Sequence, residues 1–250
     1  GIIALSRGRR YEEPKLNMKK VFAVIVAIIV IIMCIVMLKG ILSKDTKQGK
    51  IVSKDYFASY QNNKWGVIDS NGDNVIDPSY AEMIIVPNSK NDVFLCTYDV
   101  DYDNNTYKTK ALNSENKEIF TEYDHVEAIS NKDTDNNLWY ENDVVRVEKN
   151  GLYGLIDLSG KELLQCEYDK IEALEGVQNT FKITKDGKVG IADNKGNVLI
   201  TPSYAEITSL DKDKSQGFIV KSSDGKYGIV DTANKQVLET KYDTVEKIYR

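Results

Sequence analysis

The sequence is poor in the residues from which many catalytic and metal sites are built. It has one histidine and three cysteines among 250 residues. His125 has no second histidine with which to hold a metal ion. Cys34 lies in an apolar run, and Cys96 and Cys166 stand far apart, so their spacing matches neither a disulfide framework nor a zinc pattern. We expect Cys96 and Cys166 to be free thiols in strands; a disulfide between them is the alternative, which an extracytoplasmic setting permits.

Basic residues are the minority among the charged residues in most of the chain. Beyond residue 50 the acidic residues clearly outnumber the basic ones, although the formal net charge of the whole chain is only −5. An acidic surface repels phosphate backbones, which proteins hold through lysine and arginine. The composition therefore argues against nucleic acid as a partner.

Long hydrophobic runs are absent, with one exception. Residues 21–38 (VFAVIVAIIVIIMCIVML) contain no charge and no helix breaker. A run of about 18 such residues is the minimum that crosses the hydrocarbon core as a helix, so we predict a transmembrane helix with the lipid bilayer as its partner. A cleaved signal peptide is the alternative. However, no small-x-small cleavage site follows, and Met33 before Cys34 does not fit a lipoprotein signal.

The charges that flank the run predict its orientation. Basic residues precede it closely and follow it in a more diluted cluster, which favours a cytoplasmic amino end. We expect residues 1–20 to form a cytoplasmic basic tail, residues 39–54 a polar stalk, and the rest of the chain to lie outside the cell membrane. A start at Met18 would leave only Lys19 and Lys20 before the run and would favour a signal peptide.

An internal repeat dominates the remainder of the chain. Residues 188–204 (KVGIADNKGNVLITPSY) have the same residue types at the same spacing as residues 64–80, 152–168 and 226–242. In each copy a glycine is followed at fixed distances by aspartate, by glycine or asparagine, and by tyrosine, and such repeats predict units that stack on their neighbours. The signature residues are Trp65, Gly66, Asp69, Gly72, Pro78, Tyr80, Tyr123, Tyr153, Gly154, Asp157, Gly160, Tyr168, Gly190, Asp193, Gly196, Pro202, Tyr204, Tyr227, Gly228, Asp231 and Tyr242.

Each copy predicts short antiparallel strands. An alternating strand and a two-residue turn, such as Asp186 and Gly187, lead into the strand that carries the signature glycine and form a hairpin with it. The aspartate then caps a type I turn, and a third strand follows. We expect Pro78 and Pro202 to stop this third strand, because proline donates no hydrogen bond to a ladder. The closing tyrosine begins a short segment that has an apolar residue, such as Ile207, three positions later in most copies.

A degenerate copy lies between the first and second clear ones. Residues 107–124 keep the apolar alternation, a turn at residues 113–116 and the closing Tyr123, but have Lys110 at the glycine position. Just before it, Asp99, Asp101 and Asp103 have the spacing that begins a calcium-binding EF-hand loop. The glycine and the closing glutamate of that loop are missing, so we interpret these residues as a solvated loop and predict no metal site.

We assign no catalytic and no cofactor-binding residues. The recurring aspartate is explained by the turn that it begins, and several near-identical sites are not how a single active centre is built. The rings before the glycine, Trp65, Tyr153 and Tyr227, either cover the glycine of a neighbouring strand or face outward as stacking platforms. Packing is the favoured interpretation, because Val189 occupies the same place in one copy. His125 occupies a variable position, where we expect an exposed side chain.

The first copy carries the clearest family resemblance. Lys64, Trp65, Gly66 and Asp69, followed by Gly72, Val75, Ile76, Pro78 and Tyr80, resemble the WG-repeat (KWG-repeat) family of bacterial proteins, and the later copies match more weakly. The resemblance covers about residues 56–249. It implies an antiparallel β-repeat domain, often exported or anchored, and transfers no active-site residue. A looser likeness to the aromatic hairpin repeats of cell-wall-binding modules suggests a class of ligand.

These observations predict an all-β fold of tandem antiparallel hairpin or meander repeats, preceded by one transmembrane helix. We expect residues 55–250 to form a WG-type repeat domain of five copies, the second degenerate, arranged as an open solenoid or closed as a propeller. The predicted function is a membrane-anchored, extracytoplasmic, non-enzymatic binding module for an unknown protein or cell-envelope polymer. The alternative is the targeting or sensor portion of a larger cell-envelope enzyme.

Overall fold

The computed structural model describes residues 17–42, 49, 55–133, 135–212 and 216–248, with the side chains of residues 40–42 excepted. The chain divides into two compact units, Gly1–Lys50 and Ile51–Arg250. Most of the predicted basic tail (residues 1–16) and most of the predicted stalk (residues 43–48 and 50–54) lie outside the described residues.

The first unit contains one helix, α1 (Met18–Leu42). Asn17 caps it, because its Oδ1 accepts a hydrogen bond from the backbone N–H of Lys19 at 3.2 Å. The described side chains between residues 22 and 39 are exposed, as expected for a helix that is apolar on every side. Its length and composition would allow residues 18–39 to span a membrane.

The second unit is built of five antiparallel sheets, numbered here sheet 1 to sheet 5, and a two-stranded ribbon. Sheet 1 contains β1 (Tyr56–Gln61), β2 (Lys64–Asp69) and β3 (Asn74–Tyr80), and sheet 2 contains β4 (Phe94–Asp101), β5 (Thr106–Leu112) and β6 (Glu118–Ile119). Sheet 3 contains β7 (His125–Glu127), β10 (Val144–Lys149), β11 (Leu152–Asp157) and β12 (Glu162–Tyr168). The two-stranded ribbon of β8 (Ser130–Lys132) and β9 (Leu138–Tyr140) lies between β7 and β10 in the chain. Sheet 4 contains β13 (Lys170–Ala173), β14 (Thr180–Lys185), β15 (Lys188–Asp193) and β16 (Val198–Tyr204), and sheet 5 contains β17 (Glu206–Ser209), β18 (Phe218–Lys221), β19 (Tyr227–Val230) and β20 (Gln236–Tyr242).

Each copy contributes a strand to the next sheet. The segment after the closing tyrosine pairs with the first hairpin strand of the following copy, so that β13 pairs with β14 and β17 with β18. Strand β7 pairs with β10 in the same way, and in sheet 2 a single bridge joins Ile85 to Leu95. We call the strand that a copy contributes to the next sheet the donated strand. In the four-stranded sheets 3, 4 and 5, the donated strand is therefore followed by the three strands of the copy itself. The chain is all-β with many antiparallel hairpins, as the repeats predict.

The turns between the strands have the geometry that their residue types favour. Asp186 and Gly187 both have positive φ, as a tight hairpin turn requires. After the signature strand, Asp193 Oδ1 accepts hydrogen bonds from the backbone N–H groups of Lys195 and Asn197, both at 2.9 Å, and Gly196 has φ +83°. The turn of the fifth copy differs from the expected two-residue form, because the chain there has a longer connection between β18 and β19.

The prediction that proline stops the third strand is wrong. Strand β3 continues through Pro78 to Tyr80, which pairs with Trp65, and β16 continues through Pro202 to Tyr204. A shift in register lies opposite the signature glycine in both sheets. The third strand is at the sheet edge and bulged, and in such a strand proline is tolerated because its missing N–H leaves no ladder partner unsatisfied.

Four hydrophobic clusters join consecutive sheets, one at each junction. Phe94 of sheet 2 packs with Val67 and Ile76 of sheet 1, and Phe181 of sheet 4 packs with Leu155 and Leu164 of sheet 3. Equivalent clusters join sheets 2 and 3 and sheets 4 and 5. None of these clusters of described residues joins sheet 5 to sheet 1, so the stacked sheets form an open row and not a closed ring.

Candidate functional site

The signature residues do not converge on a cavity. They are distributed over the five sheets: the first glycine of each clear copy lies within a strand, the aspartate lies at or just after the end of that strand, and the turn that follows contains the second glycine where the copy has one. The rings before the glycines are half-buried: Tyr153 packs against the core between sheets 3 and 4, and Trp65 lies 4.8 Å from the ring of Tyr60. Four of the five closing tyrosines pack against a junction, whereas Tyr242 of the last copy is exposed. These residues therefore have structural roles within the sheets and at their junctions, and a binding site must be sought among other residues.

A groove of about 470 Å³ lies beside the hairpin β4–β5. This hairpin is longer than those of the other copies and ends in a turn at residues 102–105. The groove lies between the hairpin, the segment from Glu82 to Ile85, strand β7 and Tyr140 of the ribbon. None of the signature residues lines it. We refer to it below as the hairpin groove.

Exposed aromatic and thioether side chains form the rim of the hairpin groove. Tyr102 and Tyr107 are 69% and 52% exposed, and Met83 and Tyr140 are also exposed. Large side chains of this kind in a concavity offer contact area to a ligand at low cost in conformational entropy, and the tyrosine hydroxyls add polar handles. The groove therefore has the surface character of a binding site.

Carboxylates give the groove an acidic character. Glu82, Asp101 and Glu127 line it, and no lysine, arginine or histidine is among its described lining residues. The hydroxyl of Tyr102 donates a 2.6 Å hydrogen bond to Glu82 Oε1, which raises the pKa of Tyr102. Hydrogen bonds from Asn104 hold the pKa of Asp101 below its usual value. Glu127 forms an ion pair with Arg146 at 2.9 Å. The remaining acceptor capacity favours neutral hydrogen-bond donors and cations as ligands.

The floor of the groove contains two unusual side chains. Cys96 is buried, and burial raises the pKa of its thiol to about 11, so it is protonated at neutral pH and not a nucleophile. The hydroxyl of Thr109 is buried without a hydrogen-bond partner. The backbone N–H of Thr109 donates to Nδ1 of His125 at 3.4 Å, so the histidine that was expected to be exposed is half-buried as an acceptor.

The aspartates of the EF-hand-like segment belong to the hairpin tip. Asp99 forms an ion pair with Lys108 at 3.3 Å, and Asp101 Oδ1 accepts hydrogen bonds from the backbone N–H groups of Asp103 and Asn104. Within the part of the chain that the structure describes, no group of three His, Cys, Asp or Glu side chains is arranged to hold a metal ion. The three cysteines are free thiols.

Two features of the sequence coincide with this groove. Tyrosine is dense between residues 98 and 107, and the same copy lacks the signature glycine. Lys110 at that position has a side chain, so the third strand cannot approach closely, and β6 is only two residues long. The third strand of this copy is therefore shorter than the third strands of the other copies.

The fold and the groove define an open row of antiparallel β-repeat sheets with a concave side surface. The profile of the WG containing repeat matches residues 65–87 and 153–188, so these two parts of the chain are similar to WG repeats. No curated protein matches the chain.

Two solved structures are similar at low identity. A crystal structure of the eukaryotic initiation factor shows 12% identity and a TM-score of 0.38, with 75% of this chain and 52% of that chain covered. HIRA(644-1017) shows 13% identity and a TM-score of 0.29, with 58% of this chain and 50% of that chain covered. This chain spans about half the length of each of these structures.

Proposed function

We propose that the protein is a membrane-anchored, extracytoplasmic, non-enzymatic binding module whose ligand site is the hairpin groove. The observation that carries this proposal is the exposed cluster of Tyr102, Tyr107, Tyr140 and Met83 around a concave, acidic surface. Large exposed apolar side chains clustered in a concavity are uncommon on surfaces that bind nothing. The WG repeats then act as the scaffold that holds the long hairpin in place.

The chemistry of the groove favours a neutral or cationic chain from the cell envelope, either a glycan or a peptide, over a polyanion. Tyrosine rings stack against the apolar faces of sugar rings or of peptide side chains, while Glu82 and Asp101 accept hydrogen bonds from hydroxyl or amino groups. Polyanions would be repelled by the carboxylates of Glu82 and Asp101, whereas the charge of Glu127 is offset by its ion pair with Arg146.

The helix α1 supports the anchoring part of the proposal, since it is long and apolar enough to span a membrane. Basic residues are more concentrated before the helix than after it, which favours a cytoplasmic amino end and a repeat domain outside the membrane. A cysteine introduced at the exposed Leu138 tests this orientation. A membrane-impermeant maleimide should label Leu138→Cys on intact cells; labelling only after lysis would place the repeats in the cytoplasm and refute the topology.

The ligand site is tested with the full chain in detergent micelles. Binding to isolated cell-wall glycan and to a library of neutral and cationic peptides is measured for the wild type and for Tyr102→Ala combined with Tyr107→Ala. We expect the double variant to lose at least about tenfold in affinity, because stacking surfaces of this size dominate small binding sites. Tyr60→Ala, which removes an equally exposed tyrosine from sheet 1, is the matched control. Equal binding by the double variant and the wild type, or no binding by either, would refute the proposed site.

A further inference from the structure

Cations of the second unit stack on tyrosine rings in several sheets, where the negative face of the ring attracts the positive charge. Three such pairs join neighbouring strands of one sheet, with Lys Nζ or Arg Cζ at 4.6, 5.6 and 5.4 Å from the ring centre: Lys110 with Tyr98, Arg146 with Tyr153, and Lys221 with Tyr227. In the part of the chain that the structure describes, none of the stacked cations covers a tyrosine of the hairpin groove. Tyr102, Tyr107 and Tyr140 therefore have ring faces that can accept a cation from a ligand.

Two carboxylates of the groove carry a charge that no ion pair of the described residues offsets. Glu127 is paired with Arg146, whereas Glu82 and Asp101 take part in none of these ion pairs. Glu82 accepts the hydrogen bond from Tyr102, and Asp101 accepts hydrogen bonds from the turn of its own hairpin. Neutral donors leave the charge of a carboxylate in place, so a cation is the group that would complete both side chains.

The floor of the groove has a hydroxyl that lacks a hydrogen-bond partner. Thr109 is 7% exposed and pairs with Thr97 across the hairpin, and both threonines line the groove. The Oγ1 atom of Thr109 has no partner among the described residues. Buried hydroxyls almost always have one, so an unpaired hydroxyl in a groove marks a place where a ligand completes the hydrogen bonding. This observation is independent of the rings and charges of the rim.

The rim and the floor match different parts of a basic polypeptide. A lysine or arginine side chain has a cationic head that carboxylates bind and an apolar stem that packs against rings and thioethers. The peptide backbone beside it brings N–H and C=O groups to the hydroxyl of Thr109. A neutral glycan matches the rings, but it brings no charge to Glu82 and Asp101. The groove therefore fits a basic polypeptide better than a neutral glycan.

We propose that the hairpin groove binds a basic segment of a partner polypeptide, whose lysine or arginine side chain is held by Glu82 and Asp101. The inference rests on the proposed function, because it assigns the ligand class of the same site. It makes neutral glycans and polyanions non-ligands. Attraction between the acidic rim and a basic segment is screened by salt, so the affinity falls as ionic strength rises.

A charged peptide and its neutral form provide the first test. A short fluorescent peptide of alternating lysine and alanine is titrated with the full chain in uncharged detergent micelles, and fluorescence anisotropy gives its Kd at low and at high salt. Acetylation of the lysines keeps the length and the backbone but removes the charge. We expect the acetylated peptide to bind at least about tenfold more weakly, and the Kd of the charged peptide to rise with salt. Equal binding of the two peptides would overturn the proposal.

Variants that remove charge show whether the peptide binds at the groove. Glu82→Gln combined with Asp101→Asn keeps one acceptor oxygen in each side chain and should raise the Kd of the lysine peptide at least about tenfold. The matched control is Asp73→Asn combined with Glu206→Gln, which removes the same charge from exposed positions outside the groove. An equal effect of the two double variants would show that the peptide binds the acidic surface in general, and the proposal would be wrong.

Thr109→Val separates binding from folding. The hydroxyl has no partner in the free chain, so its replacement by a methyl group should not lower the free energy of unfolding. The Kd of the lysine peptide should rise by about threefold or more, because the ligand loses a hydrogen bond. A Kd equal to that of the wild type would overturn the assignment of Thr109 to the site.

A second probe separates this proposal from the proposed function. Isolated cell-wall glycan is measured beside the lysine peptide, with Tyr102→Ala combined with Tyr107→Ala as the common variant of the site. Glycan binding that requires both tyrosines, together with no binding of the lysine peptide, would overturn the basic ligand and leave the groove as the binding site. Lysine-peptide binding that requires the tyrosines and both carboxylates supports the two proposals together, and no binding of either probe would overturn both.

Discussion

The backbone of Ile200 passes so close to Gly190 that a side chain cannot be placed between them. A Cβ added at Gly190 would lie 2.2 Å from the carbonyl oxygen of Ile200 and 2.7 Å from the backbone nitrogen of Pro202. The same relationship recurs at Gly66 with Ile76 and at Gly154 with Leu164, at 2.5 Å in both. The signature glycine is therefore a steric requirement of the bulged third strand, and Pro202 lies two residues beyond the point of closest approach.

We predict that Gly190→Ala destabilises the repeat unit by about 3 kcal/mol, because the added methyl group would overlap backbone atoms that cannot rotate away. Denaturant unfolding of the full chain in micelles, followed by tryptophan fluorescence and circular dichroism, measures this loss. Gly225→Asn is the control: space is open around Gly225, and asparagine tolerates its positive φ. A loss of less than about 1 kcal/mol for Gly190→Ala would mean that the third strand can move outward.

Glu141 provides a prediction about pH. It follows the ribbon strand β9, is buried, and accepts hydrogen bonds from the backbone N–H of Asn179; burial raises its pKa. The folded chain then keeps this proton at pH values where the unfolded chain, with a glutamate pKa of about 4.3, releases it. The contribution of Glu141 to the free energy of unfolding therefore falls as pH rises from about 4 through the raised pKa.

Glu141→Gln should remove that decline, since the amide oxygen can still accept from Asn179 and carries no charge. Unfolding measured between pH 4 and pH 7 should thus show a shallower fall than in the wild type. Glu141→Ala should instead lose about 2 kcal/mol at pH 4, because the Asn179 N–H would be buried without an acceptor, and this difference from the wild type should shrink as pH rises through the raised pKa of Glu141. Glu239→Gln, at an exposed residue, serves as the control. Identical pH profiles for Glu141→Gln and the wild type would contradict the argument.

Cys96 and Cys166, the two cysteines of the second unit, should differ in their rates of reaction with a thiol reagent. Burial raises the pKa of Cys96 to about 11 and also raises that of the less buried Cys166. In a Cys34→Ser background at pH 8, we expect a maleimide to modify Cys166 at least about tenfold faster than Cys96, because both access and the thiolate fraction are lower at Cys96. The modified residue is identified by peptide mass mapping. Equal rates would indicate that the junction between sheets 1 and 2 opens readily.

Because the row is open, the same substitution at equivalent positions of two sheets should lower the free energy of unfolding by different amounts. Leu164→Ala should lose about 3 kcal/mol, because its side chain is buried between sheets 3 and 4. Leu238→Ala should lose less than about 1 kcal/mol in dilute, monomeric protein, because its side chain is exposed. Denaturant midpoints measure both. A loss for Leu238→Ala that equals the loss for Leu164→Ala under monomeric conditions would show that another part of the chain covers this face of sheet 5.

Much of the local structure follows from sequence pattern alone. The fixed spacing of glycine, aspartate and tyrosine predicts the repeats, and Asp193 with Gly196 predicts a turn that depends only on its own residues. The apolar run predicts the helix, because no charge or breaker interrupts it. Local chemistry is sufficient for these features, since each is decided within about ten residues.

The prediction that the prolines stop the third strand is wrong because the effect of Pro78 depends on whether its strand lies at the edge of the sheet. Strand order is a property of the assembled sheet, and at a bulged edge a missing N–H costs nothing. The donated strands were missed for a similar reason: the segment after each tyrosine is too short to be identified by periodicity, and it becomes a strand only when the next copy lies beside it.

The sequence by itself determined the repeat, the all-β class and the apolar helix, because these depend on residue type and spacing along the chain. The tertiary structure decided that the row of sheets is open, that Phe57 and Leu238 are left exposed at its ends, and that a tyrosine-lined groove lies beside the β4–β5 hairpin. The burial of a residue depends on which sheets pack against each other, and that packing is formed by contacts between residues that are distant in the chain.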